Sequence, residues 1–158
     1  MMQAEEYLEK IPMWTREKHS LTDIRAFLHE MGDPDRKLSI IHVAGTNGKG
    51  SVCAFLTSLY RNAGFRTGTF ISPHLVTVRE RFLLNNEMVS PGKLQAAFET
   101  VLETVNIMKE KGYSHPSYFE FLFYMAMALF ADETPELVIL ETGLGGRLDA
   151  TNVVENPL

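Results

Sequence analysis

Gly45-Thr46-Asn47-Gly48-Lys49-Gly50-Ser51 follows an apolar run from Leu38 to Ala44 and combines three glycines with a lysine. Glycines let backbone N–H groups close on an anion, and a lysine adds a full positive charge. A helix starting at this point would aim the positive end of its dipole at the same spot. The chemistry such a segment offers is the holding of nucleotide phosphates, and the plainer alternative is a glycine turn with a surface lysine. The spelling departs from G-x-x-x-x-G-K-[ST] in two places: Val43 stands where the first glycine belongs, and Gly50 follows the lysine where a hydroxyl should hold magnesium. Ser51 is one helical step further on, about 100° round the helix axis, so another oxygen is required for the metal.

Ser72 and Glu141 are the candidates for that oxygen, because each lies at or just beyond the carboxyl end of a predicted strand, where ligands gather in open α/β sheets. Magnesium accepts one or two hard oxygen ligands from protein and completes its shell with phosphates and water. Ser72 taken singly reads rather as a helix or turn cap before Pro73, whereas Glu141 follows four apolar residues and is harder to explain as an ordinary strand-end charge. The segment from Glu141 to Asn152, ETGLGGRLDATN, sets three glycines beside an arginine and two acids. That much backbone freedom next to charge suggests a loop that grips a ligand, with a structural turn as the alternative. His42, His74 and His115 show no i, i+4 metal spacing and read as structural or solvated, His74 being the one to watch because it follows Ser72-Pro73. Tyr118, Phe119, Phe121, Phe123 and Tyr124 read as helix core, with those at the amino-terminal end free to face a flat ring.

The elements that must position these residues are legible from apolar periodicity. Helices are predicted over residues 2–11, 21–31, 50–63, 91–111 and 117–131, the one at 50–63 turning Val52, Phe55, Leu56 and Leu59 to one side. Gly32 with Asp33-Pro34 stops the second helix, and Pro91 starts the fourth. Strands are predicted over 38–44, 67–71 and 136–142, with a small hairpin at 82–90 around Asn85-Asn86. Three parallel-type strands alternate with helices, the first two closing a βαβ unit with a right-handed crossover. The fold class is therefore α/β, a doubly wound and mostly parallel sheet of the P-loop NTPase type, with fewer strands than the usual ~5–6, so that the chain reads as truncated.

Length fits one domain. The residues are 45% hydrophobic and 22% charged, which suits a globular chain, and the net charge of −5 argues against nucleic-acid binding by phosphate neutralisation. Cys53 is the single cysteine, so no intrachain disulfide forms; no signal peptide is evident, and the apolar stretch from Phe119 to Ala131 is too short for a membrane helix. A cytoplasmic protein is expected.

Taken together, GTNGKGS at 45–51, SPHL at 72–75 and LETGLGGRLDATN at 140–152 resemble folylpolyglutamate synthase and its bifunctional relative with dihydrofolate synthase activity, in the Mur-ligase superfamily. The resemblance spans nearly the whole chain, and the last motif is specific to that folate branch. It implies a Mur-ligase central-domain fold and an ATP- and Mg2+-dependent ligase that joins L-glutamate to folate, either alone or with dihydropteroate as a further acceptor, since both activities use the same motifs. The γ-phosphoryl group of ATP would pass to a carboxylate, and the amine of glutamate would displace phosphate from the acyl phosphate. Carried over by motif, Asn47, Gly48, Lys49, Gly50 and Ser51 would contact ATP phosphates, Ser72 and Glu141 would ligate magnesium, and Lys49 and Glu141 would serve catalysis. Ser117, Tyr118, Phe119 and Glu120, together with Leu148, Asp149 and Ala150, would line the folate site, Phe119 stacking on the pterin. The loop near Thr15 to Leu21 diverges too far to carry residues over. The resemblance places a histidine metal ligand, a modified lysine and a carboxyl-terminal domain after residue 158. Residues 1–158 would then be an incomplete amino-terminal ATP-binding domain, inactive in isolation, of an enzyme that is a monomer at full length. The alternatives are a cell-wall Mur ligase, disfavoured by SPHL and GLGGRLDATN, and a non-catalytic nucleotide-binding module.

Overall fold

The computed structural model describes residues 2–13, 18–144 and 147–158. Two helices, α1 (Ala4–Glu9) and α2 (Leu21–Glu30), precede strand β1 (Ile40–Val43), and α3 (Lys49–Asn62) leads to β2 (Thr67–Phe70). A hairpin of β3 (Phe82–Leu84) and β4 (Glu87–Met88) is followed by α4 (Pro91–Glu110), α5 (Tyr118–Glu133) and β5 (Leu137–Glu141). The strands form one five-stranded sheet in the order β1-β5-β2-β3-β4. Its first three are parallel, and β3 and β4 extend it antiparallel.

The hairpin predicted near Asn85-Asn86 is present, and it belongs to the main sheet. Asn85 and Asn86 both have positive φ, at 51° and 66°, as the turns that match strand twist require. Asn85 also accepts the Thr67 amide at 2.9 Å, which ties the turn to the start of β2. The first two strands do not adjoin: β5 lies between β1 and β2, with Ile40 opposite Val138 and Thr67 opposite Leu137. Its Leu-Val-Ile-Leu-Glu stretch is buried at all five positions, and a central strand of a parallel sheet must be apolar towards both faces.

Side-chain alternation sorts the two layers. On one face, Val43, Ile139 and Cys53 pack beneath α3, with Ile41, Leu56 and Ile71 at the margin. On the other, Ile40, Phe70, Val138 and Leu140 meet α5, whose residues from Glu120 to Met127 are all buried. A helix apolar round its whole circumference needs cover on every side. The sheet, α4 and α2 supply it, the last through Phe27 stacked on Tyr124 at 5.2 Å. Gly68 in β2 allows this close approach, since a Cβ there would lie 2.8 Å from the Phe130 ring. The α3 stripe departs from expectation. Cys53 and Thr57 are its buried residues, while Val52, Phe55 and Leu59 are 46%, 78% and 63% exposed. Small residues one turn apart let the helix lie close to the sheet, where Thr57 Oγ1 and Thr69 Oγ1 are 2.8 Å apart, and that orientation turns the larger apolar side chains outward. Among the described residues, no helix is long and apolar enough to cross a membrane.

Candidate active site

Because β1, β5 and β2 run parallel, their carboxyl ends reach one edge of the sheet. Val43 pairs with Glu141 and Phe70 with Leu140, so the loops beginning at Ala44, Thr142 and Ile71 emerge side by side. The Thr142 amide donates to the Val43 carbonyl at 3.0 Å and holds two of those loops together.

The phosphate-loop candidate has the predicted local form. Gly48 is the N-cap of α3 with φ of 80°, a left-handed conformation suited to glycine, and no side chain caps the helix. The first-turn amides of this 14-residue helix therefore lack a side-chain acceptor. Asn47, Gly48, Gly50 and Ser51 are exposed, and Lys49 is half-buried with Nζ donating to the Gly45 carbonyl at 2.9 Å. An ammonium group that bonds to the carbonyl of its own loop is positioned to exchange that neutral oxygen for a charged one.

Glu141, 3% exposed, accepts the Ser72 backbone N–H at 2.8 Å, across 69 positions of sequence. The Ser72 hydroxyl and the Glu141 carboxylate thus belong to neighbouring residues at the strand edge, a hard-oxygen pair that fits magnesium held mainly by phosphates and water. Among the described residues no cluster of three His, Cys, Asp or Glu could hold a metal without such help. Lys49 and Glu141 share a neighbourhood at Cys53: burial, then the Glu141 carboxylate, push its thiol up to about 12, with Lys49 acting in the opposite direction.

The other predicted ligand residues lie on the α5 side and divide by environment. Ser117 and Glu120 are buried and form a capping box at the start of α5, in which Glu120 accepts the Ser117 amide at 2.8 Å and Ser117 Oγ accepts the Glu120 amide at 3.4 Å. Glu120 also accepts the His19 amide at 3.0 Å. Tyr118 and Phe119 are half-buried, and the Phe119 ring rests against Gly143, where a Cβ would lie 2.7 Å away. Leu148 is 84% exposed, whereas Ala150 is buried. Asp149 is also buried; it accepts the amides of Gly143 and Leu144 through Oδ2 at 2.9 and 3.1 Å, and the Thr151 amide through Oδ1 at 3.0 Å. Its carboxylate clamps the loop that follows β5. Gly145 and Gly146 of that loop, and Thr15 to Glu17 of the segment before α2, lie outside the described residues.

Two further features went unread in the sequence. The Thr151 hydroxyl donates to Asp149 Oδ1 and accepts from His42 Nε2 at 2.7 Å, a chain that links β1 to the β5 loop and sets the His42 tautomer. Burial lowers the His42 pKa, with Asp149 opposing. Arg81, in the short 3-10 segment Val78–Arg81, is buried; its Nε donates to His74 Nδ1 at 2.8 Å, and its guanidinium carbon lies 5.6 Å from the centre of the Tyr118 ring. Nothing in Val-Arg-Glu-Arg distinguishes Arg81 from the neighbouring Arg79, so no spacing rule could have selected it.

An uncapped glycine-loop helix at the carboxyl edge of a mostly parallel sheet, beside a buried acid, is an α/β arrangement suited to holding an anionic ligand. No family model matches the sequence. Its neighbours in sequence and structure are folylpolyglutamate synthases and bifunctional folylpolyglutamate synthase/dihydrofolate synthases, whose Mur-ligase fold it shares. A folylpolyglutamate synthase of Arabidopsis thaliana is 47% identical over 122 residues, which cover 77% of this chain and 21% of the relative. The Mycobacterium tuberculosis folylpolyglutamate synthase, solved in complex with ADP and AMPPCP, superposes with a TM-score of 0.84 at 36% identity, covering 95% of this chain and 33% of that one. A bifunctional folylpolyglutamate synthase/dihydrofolate synthase, solved with Mn, AMPPNP and L-glutamate bound, gives 0.83 at 32% identity, covering 98% and 37%. The chain therefore spans 21% of the plant relative and about a third of the solved chains.

Proposed function

We propose that this chain supplies the amino-terminal ATP-binding part of an ATP-dependent ligase that adds L-glutamate to the carboxylate of folate, with dihydropteroate as a second acyl substrate. The observation that carries the reading is the convergence of the Gly45–Ser51 loop, the Ser72–Glu141 pair and Phe119 at one strand edge, in a chain similar to enzymes of that name. The amides of Asn47, Gly48, Gly50 and Ser51, with the Lys49 ammonium, hold the phosphates. Ser72 and Glu141 hold a divalent metal, which when bound neutralises phosphate charge. A carboxylate approaching a phosphoryl group brings two anions together, and Lys49 with the loop amides offsets that repulsion where charge builds up. Tyr118, Phe119 and Leu148 offer apolar surface to the flat substrate. Ser117, Glu120, Asp149 and Ala150 act from behind that surface, fixing the backbone that carries it.

The likeness to folate enzymes favours this reading over a cell-wall ligase or a non-catalytic module. We also assign the protein to the cytoplasm, acting on small molecules rather than on nucleic acid or membrane and a monomer at full length; the net charge of −5 argues against binding by phosphate neutralisation, and the single cysteine suits a reducing compartment. The test is calorimetric titration of the chain with magnesium-ADP. Binding is expected, and Lys49→Met should weaken it by about tenfold or more, since a charge-assisted hydrogen bond contributes about 1.5–3 kcal/mol. The same affinity in both proteins would exclude the loop as the phosphate site.

A further inference from the structure

Arg81 is 6% exposed, yet it forms no ion pair among the described residues. Its contacts are a neutral ring nitrogen of His74 and the face of Tyr118. Arg25, an arginine with a structural role in the same chain, is treated differently, because its guanidinium reaches Asp33 and Asp35 at 2.8 Å each while remaining 21% exposed. Arginine does not give up its proton in proteins, and burying a cation without an anion is costly. Burial accordingly lowers the Arg81 pKa, with Tyr118 and Glu141 acting against it.

The position of Arg81 is tied to the site. Its carbonyl accepts the Ile71 amide at 3.1 Å, one residue before Ser72, and His74 lies two residues after Ser72. Tyr118 begins α5 immediately before Phe119, which rests on Gly143. A cationic fork and the Tyr118 ring thus sit beside the Ser72 loop, with Phe119 the next residue along α5 and the Glu141 charge close enough to act on Arg81. A planar guanidinium matches a carboxylate by paired N–H bonds, and flanking rings suit an acid group carried on an aromatic ring.

We propose that Arg81 is a carboxylate-binding residue that holds the aromatic acid group of the acyl substrate, with His74 fixing the guanidinium. The proposal rests on the dihydropteroate part of the ligase reading for the identity of that acid, since in folate the aromatic acid is already joined to glutamate as an amide. The test is equilibrium binding of pteroate and of its carboxamide, which lacks the charge, with magnesium-ADP titrated separately. Wild type is expected to prefer pteroate by about tenfold or more. Arg81→Gln should abolish the preference by weakening pteroate binding, and Arg81→Lys, which keeps the charge but not the fork, should restore part of it. An Arg81→Gln variant with unchanged circular dichroism and melting midpoint that still prefers pteroate as wild type does would overturn the proposal. So would a wild type that binds the two ligands equally or binds neither. If the glutamine variant fails to fold, the lysine variant decides, an undiminished preference counting against Arg81 and a reduced one supporting it. Loss of magnesium-ADP binding with the pteroate preference intact would sink the ligase reading and leave the Arg81 assignment standing.

Discussion

Gly50 occupies the position where a conventional phosphate loop carries its metal-binding hydroxyl, and Ser72 is the residue we assign in its place. The Ser72 contact to Glu141 runs through the backbone N–H, at 2.8 Å, so its hydroxyl is not what ties β2 to β5. Replacing Ser72 by alanine should then leave the fold intact while raising the magnesium concentration needed to support nucleotide binding. Ser51→Ala removes an exposed hydroxyl one residue beyond Gly50 and should alter the magnesium requirement less. Titration of ADP at a series of magnesium concentrations compares the two. A larger effect from Ser51→Ala would mean a conventional phosphate loop with its hydroxyl displaced by one residue, and the Ser72 assignment would fail.

Helix α5 brings Tyr118 and Phe119 to the site, and its amino terminus is set by groups that serve the helix first. Ser117 and Glu120 cap each other, and Glu120 further fixes the His19 amide ahead of α2. Ser117→Ala is expected to cost about 1 kcal/mol of stability, the usual effect of losing an N-cap hydroxyl. Glu120→Ala strips the acceptor from two buried amides at once, and should cost about 2–4 kcal/mol by the penalty for unsatisfied buried donors. Urea unfolding separates the pair. If Glu120→Ala were no more destabilising than Ser117→Ala while ligand binding collapsed, Glu120 would have to be a direct substrate contact and its cap incidental.

Across the whole molecule, His42, His74 and His115 come from β1, the β2 loop and the segment before α5, and in each the pKa is lowered from 6.5 chiefly by burial. The unfolded chain therefore binds more protons than the folded one once the pH falls below about 6.5, and stability should decline from there through the lower folded-state values. Unfolding midpoints at pH 7.5, 6.5 and 5.5 test this, and a flat profile across that range would show that these rings do not contribute. Features that depend on a few neighbouring residues are legible in the sequence alone. Gly48 following an apolar strand dictates the loop-to-helix turn, Asn85-Asn86 dictates the hairpin, and the Leu137–Leu140 run ending in Glu141 marks a buried strand. Helical spacing could not show which face of α3 is buried, because close approach to the sheet favoured Cys53 and Thr57 over the larger Phe55 and Leu59. Only the assembled fold sets β5 between β1 and β2, bringing Glu141 to the Ser72 amide and its charge to act on both Cys53 and Arg81. Turns and periodicity act over a few residues, whereas strand order and the burial of Arg81 depend on how distant apolar surfaces share one sheet.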